Sequence, residues 1–334
     1  MWKIRAVAAA VAVTMVLGGC VDGEDSTGGD GTAEGATTLR LDYAYYNPAS
    51  LVLRDQKWLE TELADKKVTV TWQLSAGSNK ANEALRGDAI DVGSTAGAAA
   101  LVARANGSPI KTIDVFSQPE WAAIVVGRNS TVTDVAQLKG KKIAATKGTD
   151  PYFFLLRSLE KAGLKPGDVT VVNLQHADGR TALERGDVDA WSGLDPIMAQ
   201  TQLDQGSKLI FRNIDFNSYG VLNATESFLQ RQPELAQSVV NAYERARKWI
   251  HDNPDEAVAL YAREAKISPE VAKLVLTERT KLDIDPVPGA AQTAVFESIL
   301  PVLVADANVK SEAAAREAID SLFEPKFAQA RSSS

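Results

Sequence analysis

Cysteine is almost absent from this chain: Cys20 is the only one in 334 residues. A single thiol excludes a disulfide framework and a thiolate zinc site. Histidine is nearly as scarce, with His176 and His251 alone. His251 falls near a predicted helix end before Asn253, where interaction with the helix dipole suits it. His176 is therefore the one candidate base. Basic charge is in deficit too: 36 Lys and Arg face 43 Asp and Glu, a net charge of −7, which speaks against a nucleic-acid partner. No stretch after the N-terminus has the length and apolarity of a membrane span. Neither a P-loop nor a Rossmann glycine fingerprint occurs, and no repeat has a solenoid period. "GSTAG" sets Thr95 where a nucleophile elbow has serine, so G-x-S-x-G is not met. No cofactor and no metal are expected.

What is present begins at the N-terminus. Lys3 and Arg5 precede an uncharged run, Ala6 to Leu17, too short to span a bilayer. It ends in "LGGC", followed by "VDGEDSTGGDGTAEGATT". Small residues before a lone cysteine resemble a bacterial lipoprotein cleavage site. The resemblance implies that residues 1–19 are a signal peptide and that Cys20 becomes a lipidated N-terminus. A plain secretory signal with a stray thiol is the alternative. Residues 20–38 have the composition of a flexible tether, and their acids lack calcium-loop spacing. The remaining body is long enough for two lobes, each with its own core.

Strand-like runs recur in that body: "LRLDYAY", "VTVTWQL", "IDVGST", "AAIVVGR", "KIAAT", "VTVVNL", "VDAWSGL" and "YGVLNA". Helical segments separate most of them, which predicts an α/β fold with mostly parallel sheets. After Asn223 the pattern turns almost wholly helical. Pro233, Pro254 and Pro269 suit first turns there, with Asn253 and Ser268 as caps before the last two.

Loops at the carboxyl ends of such strands are where α/β folds bind ligands. In order they are "YAYYNPAS", "LSAGSNKANEAL", "GSTAGAAALVARANG", "TKGTDP", "LQHADGR" and "WSGLDP". Each sets Ser, Thr, Asn or Asp beside Gly or Pro ahead of a helix. Asn47 starts the first such helix, Ser78 or Asn79 the second, and Ser94 and Thr95 are expected to open the third. In "ATKGTDPYFFLLRSLEKAGLKP", Asp150 is expected to cap a helix that Gly163 ends. Together these starts suggest two clusters facing each other across a cleft, with free backbone N–H groups.

Four segments carry a family resemblance: "GSNKANEALRGDAIDVGSTAGAAALVARANGSPIK", "DVAQLKGKKIAATKGTDPYFFLLRSLEKAGLKPGDV", "ALERGDVDAWSGLDP" and "YGVLNATESFLQRQPELAQSVVNAYERARKWIHDNP". The chain resembles the substrate-binding proteins of bacterial ABC importers, in the group serving aliphatic sulfonates, taurine and nitrate, from about Leu39 to about Pro325. The resemblance implies a two-lobed type II periplasmic-binding-protein fold. Residues 39–122 and 223–330 would form one lobe and 123–222 the other, with "WAAIVVGR" and "SYGVLNA" crossing between them. It implies closure on a small solute, ABC permease subunits as partners, and a monomer lipid-anchored outside the cytoplasmic membrane. A relative of the fold makes a thiamine pyrimidine and depends on a cysteine-rich motif that this chain lacks.

A sulfonate needs N–H and O–H donors. Ser78, Asn79, Ser94, Thr95 and Thr149 are placed to supply them, or simply to cap helices. In the sulfonate-binding relatives the turn matching Thr149, Asp150 and Pro151 is usually a run of small hydroxyl residues. Here proline removes a donor and Asp150 adds negative charge. Asp42 and Asp195 end two further strands, Asp195 alternatively as a cap before Pro196. A bare anion sits poorly among three acids, so the ligand either carries an amine or is held mainly by the other lobe. Arg180 is a candidate cation or a solvated helix residue. Tyr45, Tyr46, Trp121 and Trp191 are expected as pocket walls, while Tyr43 suits the core. The competing readings are a Ser/Thr hydrolase using Thr95, His176 and Asp178, and a sensor on the same fold.

Overall fold

The computed structural model describes residues 37–332. The signal peptide, Cys20 and all but the end of the expected tether lie outside the described residues. Thr37 and Thr38, assigned to the tether above, already belong to the first strand, where they pair with Val68 and Thr69.

Among the described residues, eleven strands form two sheets. The first contains β1 (Thr37–Tyr43), β2 (Val68–Leu74), β3 (Val92–Ala96), β4 (Ile110–Pro119), β10 (Gly220–Thr225) and β11 (Thr280–Lys281), in the order β11-β4-β10-β3-β1-β2. The second contains β5 (Ala122–Val126), β6 (Lys142–Ala145), β7 (Thr170–Asn173), β8 (Ala190–Leu194) and β9 (Lys208–Arg212), in the order β7-β6-β8-β5-β9. β1 runs parallel to β2 and β3, and β6 to β7 and β8. β10 is antiparallel to β3 and β4, and β5 to β8 and β9. Parallel neighbours need crossover helices, and these cover the sheets and bury them.

The helix Asp150–Lys161 shows how sequence makes such a cover. Phe153, Phe154, Leu155, Leu156 and Leu159 are all buried, each burial worth ~1.5–3 kcal/mol. Gly163 takes φ +74 just beyond its end, a left-handed turn that glycine adopts without a Cβ penalty. The start differs from expectation. Thr149 holds the N-cap position, and Asp150 is the first helical residue, with Pro151 next. The helix expected to open at Ser94 and Thr95 starts later, at Gly97. Both residues are in β3, because β10 claims their backbone through Ser94↔Leu222 and Thr95↔Val221.

The chain passes from the first sheet to the second through Glu120 and Trp121, and returns through residues 213–219. The two passages are tied: Ala122 N–H donates to Asn217 Oδ1 at 3.0 Å. Gly97 packs directly under the return passage, where a Cβ would stand 2.3 Å from the Ser218 carbonyl. Beyond β10 the chain is mainly helical. Pro233, Pro254 and Pro269 each begin a helix, and Ser268 Oγ accepts Val271 N–H at 3.2 Å. Among the described residues no helix is long and apolar enough to cross a membrane.

Candidate functional site

Four helix starts converge where the sheets meet. Ser78–Arg86 and Gly97–Ala105 come from the first sheet's side, Asp150–Lys161 and His176–Arg185 from the second's. They touch across the junction. A Cβ at Gly77 would stand 2.8 Å from His176 Nε2, and one at Gly148 would stand 3.7 Å from Asn79 Cβ. The polar residues between them are buried, with Asp42, Ser94, Thr149, Asp150 and His176 each at most 2% exposed.

Asp150 is the centre of this junction. Its Oδ1 accepts the Ser218 hydroxyl at 2.5 Å, and its Oδ2 accepts Ser218 N–H at 2.8 Å and Trp121 Nε1–H at 2.9 Å. Ser218 Oγ in turn accepts Ala98 N–H at 2.8 Å. One carboxylate of the second lobe thus holds both passages and, through Ser218, a helix start of the first. Burial pushes its pKa up, while Ser218 and Trp121 hold it back.

A second carboxylate lies on the first sheet's side. Asp42 Oδ1 accepts Ser94 N–H at 2.8 Å and Ser94 Oγ at 3.1 Å. Burial raises its pKa to about 7 against those bonds. Tyr46 links the two acids: its hydroxyl donates to the Ser94 carbonyl at 2.8 Å, and its ring stands edge-on to Trp121 at 5.8 Å.

His176 sits at its helix start, 1% exposed. Thr146 Oγ1 lies 3.1 Å from His176 Nδ1 and 2.7 Å from the Leu174 carbonyl. A carbonyl only accepts, so the threonine proton goes to Leu174 and Nδ1–H donates to Thr146. Nε2 then presents a lone pair, and among the described residues it has no partner. Burial lowers the pKa to about 3, so the ring is neutral.

The remaining expected site residues are spread more widely. Ser78 Oγ accepts Ala96 N–H at 2.9 Å, and Thr149 Oγ1 donates to the Thr146 carbonyl at 2.6 Å. Asn47 caps its helix by accepting Ser50 N–H at 3.3 Å. The backbone carbonyl of half-buried Tyr45 accepts the Tyr261 hydroxyl. Thr95 Oγ1 donates to the Ala96 carbonyl and accepts from Asn223. It is not paired with His176, and Asp178 is exposed, so the contacts a hydrolase needs are not assembled. Trp191 belongs to the second core cluster, under Gly179, instead of walling the cleft. Its strand is central, which turns that side chain onto the covering helix. Asp195 accepts Ala199 N–H and pairs with buried Arg279 at 3.1 Å. Arg180 is taken up by Glu184 and Gln200. Ser218, Asn217 and Arg279 were missed: only the polar "NSYG" ahead of a strand hinted at the first two.

Two α/β sheets joined by two passages, with helix starts meeting at the junction, define the periplasmic-binding-protein class. The chain belongs to the NMT1/THI5-like family, which it matches over residues 63–257. A protein of Escherichia coli (strain K12) named for binding aliphatic sulfonates is 29% identical over 251 residues, 75% of this chain and 78% of the relative. One of the same name from Bacillus subtilis (strain 168) is 26% identical over 294 residues, 86% and 87% of the two chains. The alkanesulfonate-binding protein SsuA of Xanthomonas axonopodis pv. citri, solved with MOPS bound, superposes with a TM-score of 0.75 at 24% identity over 84% of this chain and 97% of that one. These relatives are binding proteins. A more distant neighbour, the desulfurization enzyme DSZB, shares the fold at a TM-score of 0.63 and 15% identity.

Proposed function

We propose that the chain is the extracytoplasmic solute receptor of an ABC importer. It captures a small organic acid, an aliphatic sulfonate or taurine-like compound, between two lobes and presents the closed form to a permease. The observation that carries this reading is the convergence of four helix starts from both sheets onto one junction, beside the relatives named for sulfonates. Free N–H groups at such starts favour an anion. Tyr46, Ser78, Asn79, Trp121, Asp150 and His176 are the residues assigned to the solute. Hinged closure on it follows from the two passages.

A thermal-shift panel of alkanesulfonates, taurine, sulfate, nitrate and amino acids tests the reading. A ligand at 100 times its dissociation constant adds ~2.7 kcal/mol to stability. In solution scattering the same ligand is expected to lower the radius of gyration. Failure of every sulfonate to shift the transition would refute it. Anchorage through Cys20 belongs to the proposal: Cys20→Ser is expected to leave the membrane fraction and carry no lipid. Unchanged retention would refute that part alone.

A further inference from the structure

A cavity of about 650 Å³ lies outside the junction, between the helix Pro233–Asp252 and a strap of chain around β11. The strap has a built-in arch. Lys281 pairs with Gln118 on β4, and Val115 N–H donates to the Pro286 carbonyl at 2.9 Å. From Lys281 to Pro286 is five steps, and from Gln118 to Val115 only three, so residues 282–285 bulge off the edge of the sheet. Leu282 and Ile284 of this arch line the cavity together with Ile250, Leu276 and Pro286. Its size and apolar lining suit a small organic molecule, since such pockets run ~300–1,000 Å³.

The polar lining is short of acceptors at one place. Glu244 accepts from Arg247 and lies 3.6 Å from Arg331 Nε, so two guanidiniums share one carboxylate. Arg247 is 6% exposed, and its Nε–H has no hydrogen-bond partner among the described residues. Its bonds to the Val115 and Ile284 carbonyls are long, at 3.4 and 3.5 Å. Burial pushes the nearby Asp114 up to about 7, against the pull of Arg247, so at neutral pH it supplies only part of a charge. The other acids of the lining are turned elsewhere. Asp252 takes Lys248 and His251, and Asp283 is exposed on the arch.

We infer that this cavity is a second ligand site, for a medium-chain carboxylate whose head takes the charge that Arg247 and Arg331 divide over Glu244 and whose chain lies against Leu276, Leu282 and Ile284. A carboxylate matches the fork of donors on a guanidinium, and the apolar chain leaves water on entering. The site goes beyond the solute cleft and is independent of it, because no residue assigned to the solute lines the cavity.

The test is calorimetric titration of the full chain with octanoate, acetate and octyltrimethylammonium. It is repeated in Leu282→Trp, which fills the cavity, and in Arg331→Gln, which removes one cation. Octanoate is expected to saturate one site per chain. Acetate lacks the chain and octyltrimethylammonium the negative head, so each is expected to bind at least about tenfold more weakly. Either variant is expected to weaken octanoate by about fivefold or more. Should one variant fail to fold, the other carries the comparison. Wild-type octanoate affinity in either folded variant overturns the site. Equal affinity for octanoate and octyltrimethylammonium overturns the ligand class, and octanoate binding that does not saturate below about 1 mM overturns the proposal as a whole.

Discussion

Ser218 gives both its hydroxyl and its backbone N–H to the carboxylate of Asp150, at 2.5 and 2.8 Å, from the passage that returns to the first sheet. Asp150 is therefore no helix cap, and its replacement acts on the junction. Asp150→Ala and Asp150→Ser both leave Trp121 Nε1–H and Ser218 N–H without an acceptor. At ~1–3 kcal/mol for each of these two unsatisfied buried donors, a loss of about 2–6 kcal/mol is expected from either change. Asp150→Asn keeps one acceptor oxygen and is expected to cost less. Urea unfolding at pH 7 checks the order, and an Asp150→Ser protein as stable as the wild type contradicts it.

Asp195 and Arg279 make the other buried link, with both side chains 2% exposed and 3.1 Å apart. Arg279 also donates to Gln202. Removing one partner of such a pair strands a charge and typically costs ~3–5 kcal/mol. Arg279→Met is expected to fall in that range. Asp195→Asn added to it is expected to recover a large part, since no bare charge remains. A double-mutant cycle reads the coupling directly, and additive losses would show that the pair does not act as a unit.

Two buried groups give stability opposite dependences on pH. His176 has its pKa pushed down to about 3 from 6.5. The unfolded chain binds that proton first, so the contribution is present above about 6.5 and is lost as pH falls. Asp42 rises from 3.8 to about 7. The folded chain binds that proton first, so its contribution is present below about 3.8 and is lost as pH rises through 7. Between pH 7 and 5 the two oppose, each on the order of 2 kcal/mol. Asp42→Asn is expected to lose stability more steeply on acidification than the wild type, and His176→Gln less steeply. Parallel profiles for all three proteins would contradict both assignments.

The sequence carried the α/β alternation because half-buried and apolar strands such as "VTVTWQL" and "AAIVV" stand between helices with clear starts. It did not reveal β4. "IKTIDVFSQP" is buried on both faces between β10 and β11, so its Lys111, Thr112, Asp114 and Ser117 break the apolar run that marks a core strand. Nor did it reveal β9, a half-buried edge with charged ends, Lys208 and Arg212. Asn47 and Ser268 were legible as caps because capping is local. Asp150 was misread for the opposite reason. Its partners are 29 and 68 residues away, and only the meeting of two sheets chooses them over the nearby backbone. Arg279 reaches Asp195 across 84 residues, beyond any pattern in a helical tail.

Gly77 offers a test of closure that leaves the separate lobes untouched. Its φ of 168 is extended backbone that any residue adopts, so Gly77→Ala introduces no strain of its own. The added Cβ stands 2.8 Å from His176 Nε2, across the junction, and equally close to Asn79 Oδ1 on its own helix. The amide can swing aside. The ring is anchored through Nδ1 to Thr146 and packed in place. Overfilling a packed contact costs ~1–3 kcal/mol, and here the cost falls on the closed form alone. The unfolding midpoint of the empty protein is expected to stay near the wild-type value if that protein is open. Affinity for any solute that closes the lobes is expected to fall by about tenfold or more, and the radius of gyration with ligand is expected to stay nearer its ligand-free value. Titration and solution scattering on Gly77→Ala measure both. Wild-type affinity together with wild-type compaction would mean that Gly77 and His176 do not meet when the solute is bound.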